Sequence, residues 1–154
     1  HTARGIKDWH DRHNTPLHYW GIDNNRDLPT ISPFPGAVLI TGDSNVVYAQ
    51  VPDNMQLVII DGCHCLQHVL LDACLYMPKV VKGGYIMFHD ACQLVQGQGY
   101  QGHGNVNDAD NSIAVRKAMQ MLGLSMRKDL VWIEESKGNG QWGGFSVWRR
   151  ASKM

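Results

Sequence analysis

The sequence predicts an α/β fold in which helices cover both faces of a mostly parallel sheet. From residue 18 onward, short apolar runs alternate with helical patterns, as in a sheet with crossover helices. The central runs are apolar throughout, which is typical of parallel strands covered on both faces. With 154 residues, 44% of them hydrophobic, the chain is long enough for one sizeable core, so we expect a single domain over residues 1–154.

The charge balance limits the classes of partner. The chain has 14 Lys and Arg against 14 Asp and Glu, and its four Cys are too few for a disulfide scaffold. Nucleic acids and acidic membranes bind mainly through charge neutralisation, which a chain without net charge supplies poorly. No apolar run approaches the roughly 20 residues of a membrane helix. We therefore expect a soluble, cytoplasmic protein with a small-molecule ligand and no nucleic-acid or membrane partner.

Six apolar runs are predicted as strands: residues 18–22, 37–40, 56–60, 84–88, 130–134 and 144–148. The first four are followed by an acid at or near the carboxyl end, namely Asp23, Asp43, Asp61 and Asp90. Ligands of open α/β sheets bind beyond those ends, so we expect the four acids on one rim. The alternative for each position is that Asp only forms the turn after a strand.

Three helices are predicted over residues 2–13, 65–77 and 112–122. In the second, apolar residues recur at spacings of three and four positions. Pro78 and the pair Gly83-Gly84 are expected to end it and turn the chain. The segment from Gln93 to Asn111 has no apolar period and is interpreted as a mobile loop that covers the ligand, with Tyr100 and His103 as contacts.

The middle of the chain resembles the second half of a class I S-adenosylmethionine-dependent methyltransferase. The residues that carry the resemblance are Ile60-Asp61-Gly62-x-His64, a helix, Gly83-Gly84 and a strand ending in His89-Asp90. It extends outward to Tyr19–Asp23, which is similar to the second strand of the family, and to Gly42-Asp43-Ser44, which is similar to the next turn. It implies a Rossmann-like methyltransferase fold with S-adenosylmethionine as cofactor.

One departure from the family is large, because its first strand and Gly-rich turn are missing from the sequence. In the family, that strand lies centrally, between the strands that correspond here to residues 18–22 and 56–60, so its loss leaves two rows of backbone hydrogen-bonding groups without partners. We expect an N-terminally truncated chain. The alternatives are that the neighbouring strands close the gap or that another chain fills it, and exposed strand edges of this kind favour a homo-oligomer.

The resemblance also implies which residues bind the cofactor. Asp23, with Asn24 beside it, is expected to accept hydrogen bonds from the ribose hydroxyls, although an Asx turn is the alternative. Asp43 and Ser44 are expected to flank the adenine, with a tight turn as the alternative. Asp61 completes this cofactor-binding set.

Methyl transfer to a hydroxyl requires a positioned acceptor and removal of its proton. His64 is the expected base, since a histidine titrates at roughly pH 6.5; helix capping or packing is the alternative. His89 and Asp90 are expected near the acceptor. Together with Asp61 they also form a candidate metal set, in which a His suits Zn²⁺, Fe²⁺ or Mn²⁺ better than Mg²⁺. The alternative is that His89 and Asp90 only hydrogen-bond to loop backbone.

A second group of metal-ligand residue types lies between those motifs. Cys63, His64, Cys65 and His68 fall within six residues, but no distant second pair completes a zinc-ribbon pattern. We interpret the group mostly as packing.

Three functions compete. The first is S-adenosylmethionine-dependent methyl transfer to a small molecule, at a hydroxyl oxygen. The second is a non-catalytic binding or assembly protein that retains the fold. The third is a metal-dependent hydrolase built on Asp61, His64, His89 and Asp90. An upstream strand that ends in a Gly-rich turn would favour the first.

Overall fold

The computed structural model describes residues 2–13, 16–24, 36–63, 65–91, 111–136 and 144–152. They divide into two compact units, His1–Val51 and Pro52–Met154, and each unit is described by itself. That the chain forms one domain stays a prediction.

The described residues of the first unit form two helices and a two-stranded parallel sheet. Helix α1 spans Thr2–His13, and strand β1, Tyr19–Asp23, pairs with β2, Ala37–Thr41. A short helix α2, Ser44–Val47, follows β2 and leads into a 3₁₀ turn. The two strands pair in parallel, so both deliver the chain to the same edge of this small sheet.

The second unit is built on a four-stranded sheet in the order β3-β4-β6-β5. Strands β3, Met55–Ile60, and β4, Val80–His89, are parallel and are connected through helix α3, Leu66–Tyr76. Helix α4, Asn111–Met121, comes next. Strands β5, Leu130–Ser136, and β6, Phe145–Arg150, form a hairpin whose β6 runs antiparallel to β4.

The core of the second unit lies between this sheet and its helices. Helix α3 contacts both β3 and α4, as a crossover helix does when it covers a sheet face. The largest fully buried hydrophobic side chains come from both layers and are Phe88, Ile86, Leu124, Val69, Val80 and Val115. Gly123, in the left-handed conformation at φ 61°, follows α4.

The structure confirms the six predicted strands and three predicted helices to within a few residues. It does not confirm a mostly parallel sheet, because the second sheet is mixed: its β3 pairs in parallel, whereas β6 is antiparallel to both neighbours. An apolar run shows that a strand is buried but carries no information on its direction. The predicted loop over residues 93–110 lies outside the described residues.

The prediction that Gly83-Gly84 turns the chain is wrong, because both residues lie inside β4. They belong to a bulge. Met55 of β3 faces Val80, while Leu57 faces Tyr85, so β4 has more residues than β3 over this stretch. Gly83 has φ 83°, and a Cβ on Gly84 would lie 2.9 Å from the carbonyl oxygen of Gln56. The bulge therefore needs glycine at both positions.

Strands β1 and β3 are each paired on one side in the described part of the chain. Strand β1 pairs with β2, and β3 pairs with β4. These are the two strands that the resemblance places on either side of the first strand of the family. In addition, no helix of the described residues is long and apolar enough to span a membrane.

We predict that Gly84→Ala lowers the free energy of unfolding by about 1–3 kcal/mol, because the added methyl group would lie 2.8 Å from Val80 Cγ1 and 2.9 Å from the backbone carbonyl oxygen of Gln56, which cannot move aside without shifting β3. Urea denaturation measures the change. The matched control is Gly62→Ala, whose Cβ would meet only Asp72 Oδ2 at 3.5 Å, an ordinary contact. Equal stability of the two variants would contradict this account of the bulge.

Candidate functional site

Asp23 and Asn24 lie at the carboxyl end of β1, where the sequence analysis places the ribose-binding acid. Asp23 is the last residue of the strand and is exposed, as is Asn24. The carbonyl oxygen of Asp23 accepts a hydrogen bond from the Gly42 backbone nitrogen at 2.9 Å. The end of β1 is thereby tied to the turn after β2.

Asp43 caps helix α2. Its Oδ1 accepts hydrogen bonds from the backbone nitrogen of Asn45 and from Asn45 Nδ2, both at 2.9 Å. This is the turn-forming role that was the alternative for Asp43. Ser44 is the first residue of the helix. The Asn45 Oδ1 is buried and has no hydrogen-bond partner among the described residues, so the turn presents an unsatisfied acceptor.

Asp61, His89 and Asp90 meet at the carboxyl ends of β3 and β4. The Nδ1 atom of His89 lies 3.0 Å from Asp61 Oδ1 and 3.1 Å from Asp90 Oδ2. One ligand atom from each of the three residues lies within 4.8 Å of the other two. Parallel pairing explains why Asp61 and His89 meet, because Ile60 and Phe88 are partners and Asp61 and His89 are the residues that follow them at the same edge of the sheet.

The backbone of Asp90 explains how adjacent residues reach one point. Successive side chains of a strand point to opposite faces, so His89 and Asp90 would diverge if β4 continued. Asp90 instead has φ 51°, in the left-handed region that Asp tolerates better than most residues. Its backbone nitrogen donates to the carbonyl oxygen of Gly144 at 2.8 Å, which holds this turn.

The two acids change the ionisation of His89. Its pKa is raised from 6.5 to about 9, first because Asp61 lies within hydrogen-bonding distance; partial burial opposes the rise, and the charges of Asp61 and Asp90 add to it. At neutral pH the metal-free site therefore holds an imidazolium between two carboxylates. Although both oxygens are close, Nδ1 finds no partner among the described residues that also satisfies hydrogen-bond angles. The distances thus indicate charge attraction more than an aligned hydrogen bond.

Arg116 of α4 supports the chain that leaves this cluster. Its Nη1 donates to the carbonyl oxygen of Ala91 at 3.4 Å and pairs with the carboxylate of Glu135 on β5. Ala91 is fully buried directly after Asp90. Arg116 was not among the predicted site residues, because a basic residue on an amphipathic helix, next to Lys117, looks like an ordinary surface residue.

The predicted site residues that the structure describes therefore fall into two groups, one in each unit. Asp61, His89 and Asp90 come together in the second unit, while Asp23, Asn24, Asp43 and Ser44 belong to the first. The predicted base His64, and the predicted loop contacts Tyr100 and His103, lie outside the described residues. Their roles stay predictions, as do the ligand roles of the others.

A second cluster joins Cys63, Cys65 and His68. The two Sγ atoms are 2.9 Å apart, and Cys65 Sγ lies 2.7 Å from His68 Nδ1. Cys63 is exposed, so packing does not account for it. The sequence signal was the spacing Cys-x-Cys-x-x-His, which sequence analysis noted but interpreted mostly as packing.

Comparison with known families gives one match. A family model described as a methyltransferase domain matches residues 9–91, which is more than half of the chain and includes both strand ends of the first unit and the Asp61, His89 and Asp90 cluster. No curated protein sequence matches the chain.

Solved structures show the fold. A protein from Corynebacterium glutamicum is 15% identical, with 90% of this chain and 62% of that chain covered and a TM-score of 0.59. An O-methyltransferase from Bacillus cereus in complex with SAH is 12% identical, with 74% of this chain and 50% of that chain covered and a TM-score of 0.53. The methyltransferase MycE, in complex with Mg, SAH and mycinamycin VI, is 15% identical, with 87% of this chain and 36% of that chain covered and a TM-score of 0.51. The chain therefore has a Rossmann-like methyltransferase fold and spans at most about three-fifths of these proteins.

We predict a pH-dependent contribution of His89 to the stability of the metal-free chain. Because its folded pKa is raised, the stabilisation is complete below pH 6.5 and is lost as pH rises through about 9. Solvent screening of this half-exposed group limits it to the order of 1 kcal/mol. Urea denaturation of wild type and His89→Gln across this range measures it. The difference between the two proteins should shrink with rising pH and should vanish in an Asp61→Asn, Asp90→Asn background; a constant difference would contradict the prediction.

Proposed function

Since the chain belongs to the methyltransferase domain family, we propose that it takes part in S-adenosylmethionine-dependent methyl transfer to a hydroxyl oxygen of a small molecule. The observation that carries the proposal is the meeting of Asp61, His89 and Asp90 beyond two parallel strands. Ligands of such sheets bind at that edge. The family match does not favour the two alternatives, a non-catalytic binding protein and a metal-dependent hydrolase.

The residues of the first unit fit the adenosine end of the cofactor. Asp23 offers an exposed carboxylate directly after a parallel strand, and one carboxylate can accept hydrogen bonds from both vicinal hydroxyls of a ribose. The unsatisfied Asn45 Oδ1 beside Asp43 is an acceptor of the kind that an exocyclic adenine amine would satisfy. We propose Asp23 and Asn24 for the ribose, and Asp43, Ser44 and Asn45 for the adenine.

The bound cofactor supplies an electrophilic methyl group on a sulfonium. The residues of the chain then have to orient the acceptor oxygen in line and remove its proton. We propose that, in the metal-free cluster, the imidazolium of His89 donates to the acceptor oxygen and stabilises its developing negative charge, while the carboxylates of Asp61 and Asp90 orient the ring. A cation bound to this cluster would take the place of the His89 proton. The proposed base is His64.

We also propose that the Asp61, His89 and Asp90 set binds a divalent cation. A cation with octahedral bonds of about 2.1 Å keeps neighbouring ligand atoms about 3.0 Å apart. The His89 Nδ1 atom lies 3.0 Å from Asp61 Oδ1 and 3.1 Å from Asp90 Oδ2. No described group meets this atom at an angle that makes a hydrogen bond. The imidazole favours Mn²⁺, Fe²⁺ or Zn²⁺ over Mg²⁺. The bound cation would polarise the acceptor hydroxyl.

We predict that the chain binds S-adenosylhomocysteine and that Asp23→Ala weakens binding by about 10–100-fold, since two hydrogen bonds to a charged acceptor are lost. Calorimetric titration measures it. Asp53→Ala is the matched control, because Asp53 is an exposed acid that pairs with Lys79 rather than following a strand. Failure of the folded chain to bind, or equal loss in the two variants, would contradict the assigned cofactor site.

We further predict that Mn²⁺ binds to the chain and that Asp61→Asn or Asp90→Asn lowers its affinity by at least tenfold. Asparagine keeps the shape of the side chain and tolerates the left-handed backbone of residue 90, so the loss reports the charge. Electron paramagnetic resonance of free Mn²⁺ gives the affinity. Asp129→Asn serves as control, because Asp129 pairs with Arg127 away from this cluster. An affinity that stays unchanged in both site variants would overturn the metal assignment.

A further inference from the structure

The loop between β3 and α3, together with the first turn of α3, carries a second set of metal-ligand atoms, of a different chemical type. This set contains the Cys63 and Cys65 sulfur atoms at 2.9 Å and the His68 Nδ1 atom at 2.7 Å from Cys65 Sγ. One ligand atom from each residue lies within 4.8 Å of the other two. Two sulfurs and an imidazole nitrogen are the donors that Zn²⁺ prefers, and carboxylates are absent from the set.

We propose that Cys63, Cys65 and His68 bind one Zn²⁺ ion through two thiolates and one imidazole. Binding forms two Zn–S bonds and one Zn–N bond and releases the two thiol protons to solvent. Two thiolates balance the charge of the ion. The fourth position of a tetrahedral zinc is then available to water or to a further ligand. This inference is independent of the proposed methyl transfer.

The backbone around the cluster suits thiolate ligands. The backbone nitrogen of Cys65 lies 3.4 Å from Cys63 Sγ and donates a hydrogen bond to it. Outer hydrogen bonds of this kind orient a metal ligand and stabilise its charge. Cys65 also directly precedes the 11-residue helix α3, whose N-terminal end favours negative groups. These contacts hold the two sulfur atoms on the same side of a tight loop.

The exposure of Cys63 and the positions of the three ligands favour metal binding over packing as the reason for this cluster. Cys63 is exposed, whereas Cys65 and His68 are half-buried, so an ion can reach the cluster from solvent and complete it. His68 lies in the first turn of α3, Cys65 is the residue that precedes the helix, and Cys63 lies in the loop before it. A bound ion would therefore fasten the loop to the first turn of α3. Asp61 lies two residues before Cys63 in the same loop.

The test uses the full chain, reduced and freed of reductant under inert gas. Zn²⁺ affinity is measured by competition with a chromophoric chelator, and Co²⁺ serves as a spectroscopic substitute. We expect one cobalt per chain to give a thiolate-to-cobalt charge-transfer band, whereas cobalt bound at the other candidate site, Asp61, His89 and Asp90, would give none. The band requires sulfur ligands, so it distinguishes this cluster from the oxygen-rich set at Asp61, His89 and Asp90.

Variants complete the test. Cys63→Ser and Cys65→Ser should each lower Zn²⁺ affinity by about 100-fold or more, and His68→Gln should weaken binding while keeping the band. The matched control is Cys74→Ser, since Cys74 is an exposed free cysteine of α3 outside the cluster. Circular dichroism verifies that each variant folds. A folded wild-type chain without the band, a band of full intensity with unchanged affinity in both Cys63→Ser and Cys65→Ser, or an equal loss in Cys74→Ser would overturn the proposal.

Discussion

The candidate site of the second unit depends on the parallel pairing of β3 with β4. In a parallel pair, both strands leave the sheet at the same edge, so the chain after Ile60 and the chain after Phe88 are neighbours. Asp61 and His89 are the next residues. The distance between Asp61 and His89, and the largest cause of the raised pKa of His89, follow from this one register. An antiparallel pairing would place the two residues at opposite ends of the strands.

The strands and the acids that follow them were predictable because they depend on local pattern. An apolar run of four to six residues bounded by turn residues signals a buried strand, and an acid after it is visible by inspection. The features that complete the site are not local. The left-handed backbone of Asp90 is held by Gly144, and the Ala91 carbonyl oxygen is held by Arg116. The residues that make these two contacts are 54 and 25 positions apart in the chain, and no spacing rule reports them.

The bulge in β4 shows a second limit of sequence patterns. Two adjacent glycines indicate a turn in most sequences, and that interpretation was reasonable for Gly83-Gly84. In the structure, the two glycines lie in a bulge, where β4 has more residues than the partner strand β3. Likewise, the spacing of Cys63, Cys65 and His68 was apparent, but only the fold shows that the first turn of α3 brings His68 Nδ1 to the sulfur of Cys65.

The two halves of strand β4 differ in how they pair with the neighbouring strands. Residues Tyr85–His89 pair with β6, and Tyr85–Phe88 also pair with β3, so Tyr85–Phe88 are hydrogen-bonded on both sides. Amide hydrogens enclosed in this way are expected to exchange with solvent only when the surrounding sheet opens. His89 directly follows this doubly paired stretch and is itself paired with Phe145 of β6. Local fluctuations should seldom displace it, and a substrate would meet an imidazole already in its working position, with little ordering left to be done on binding.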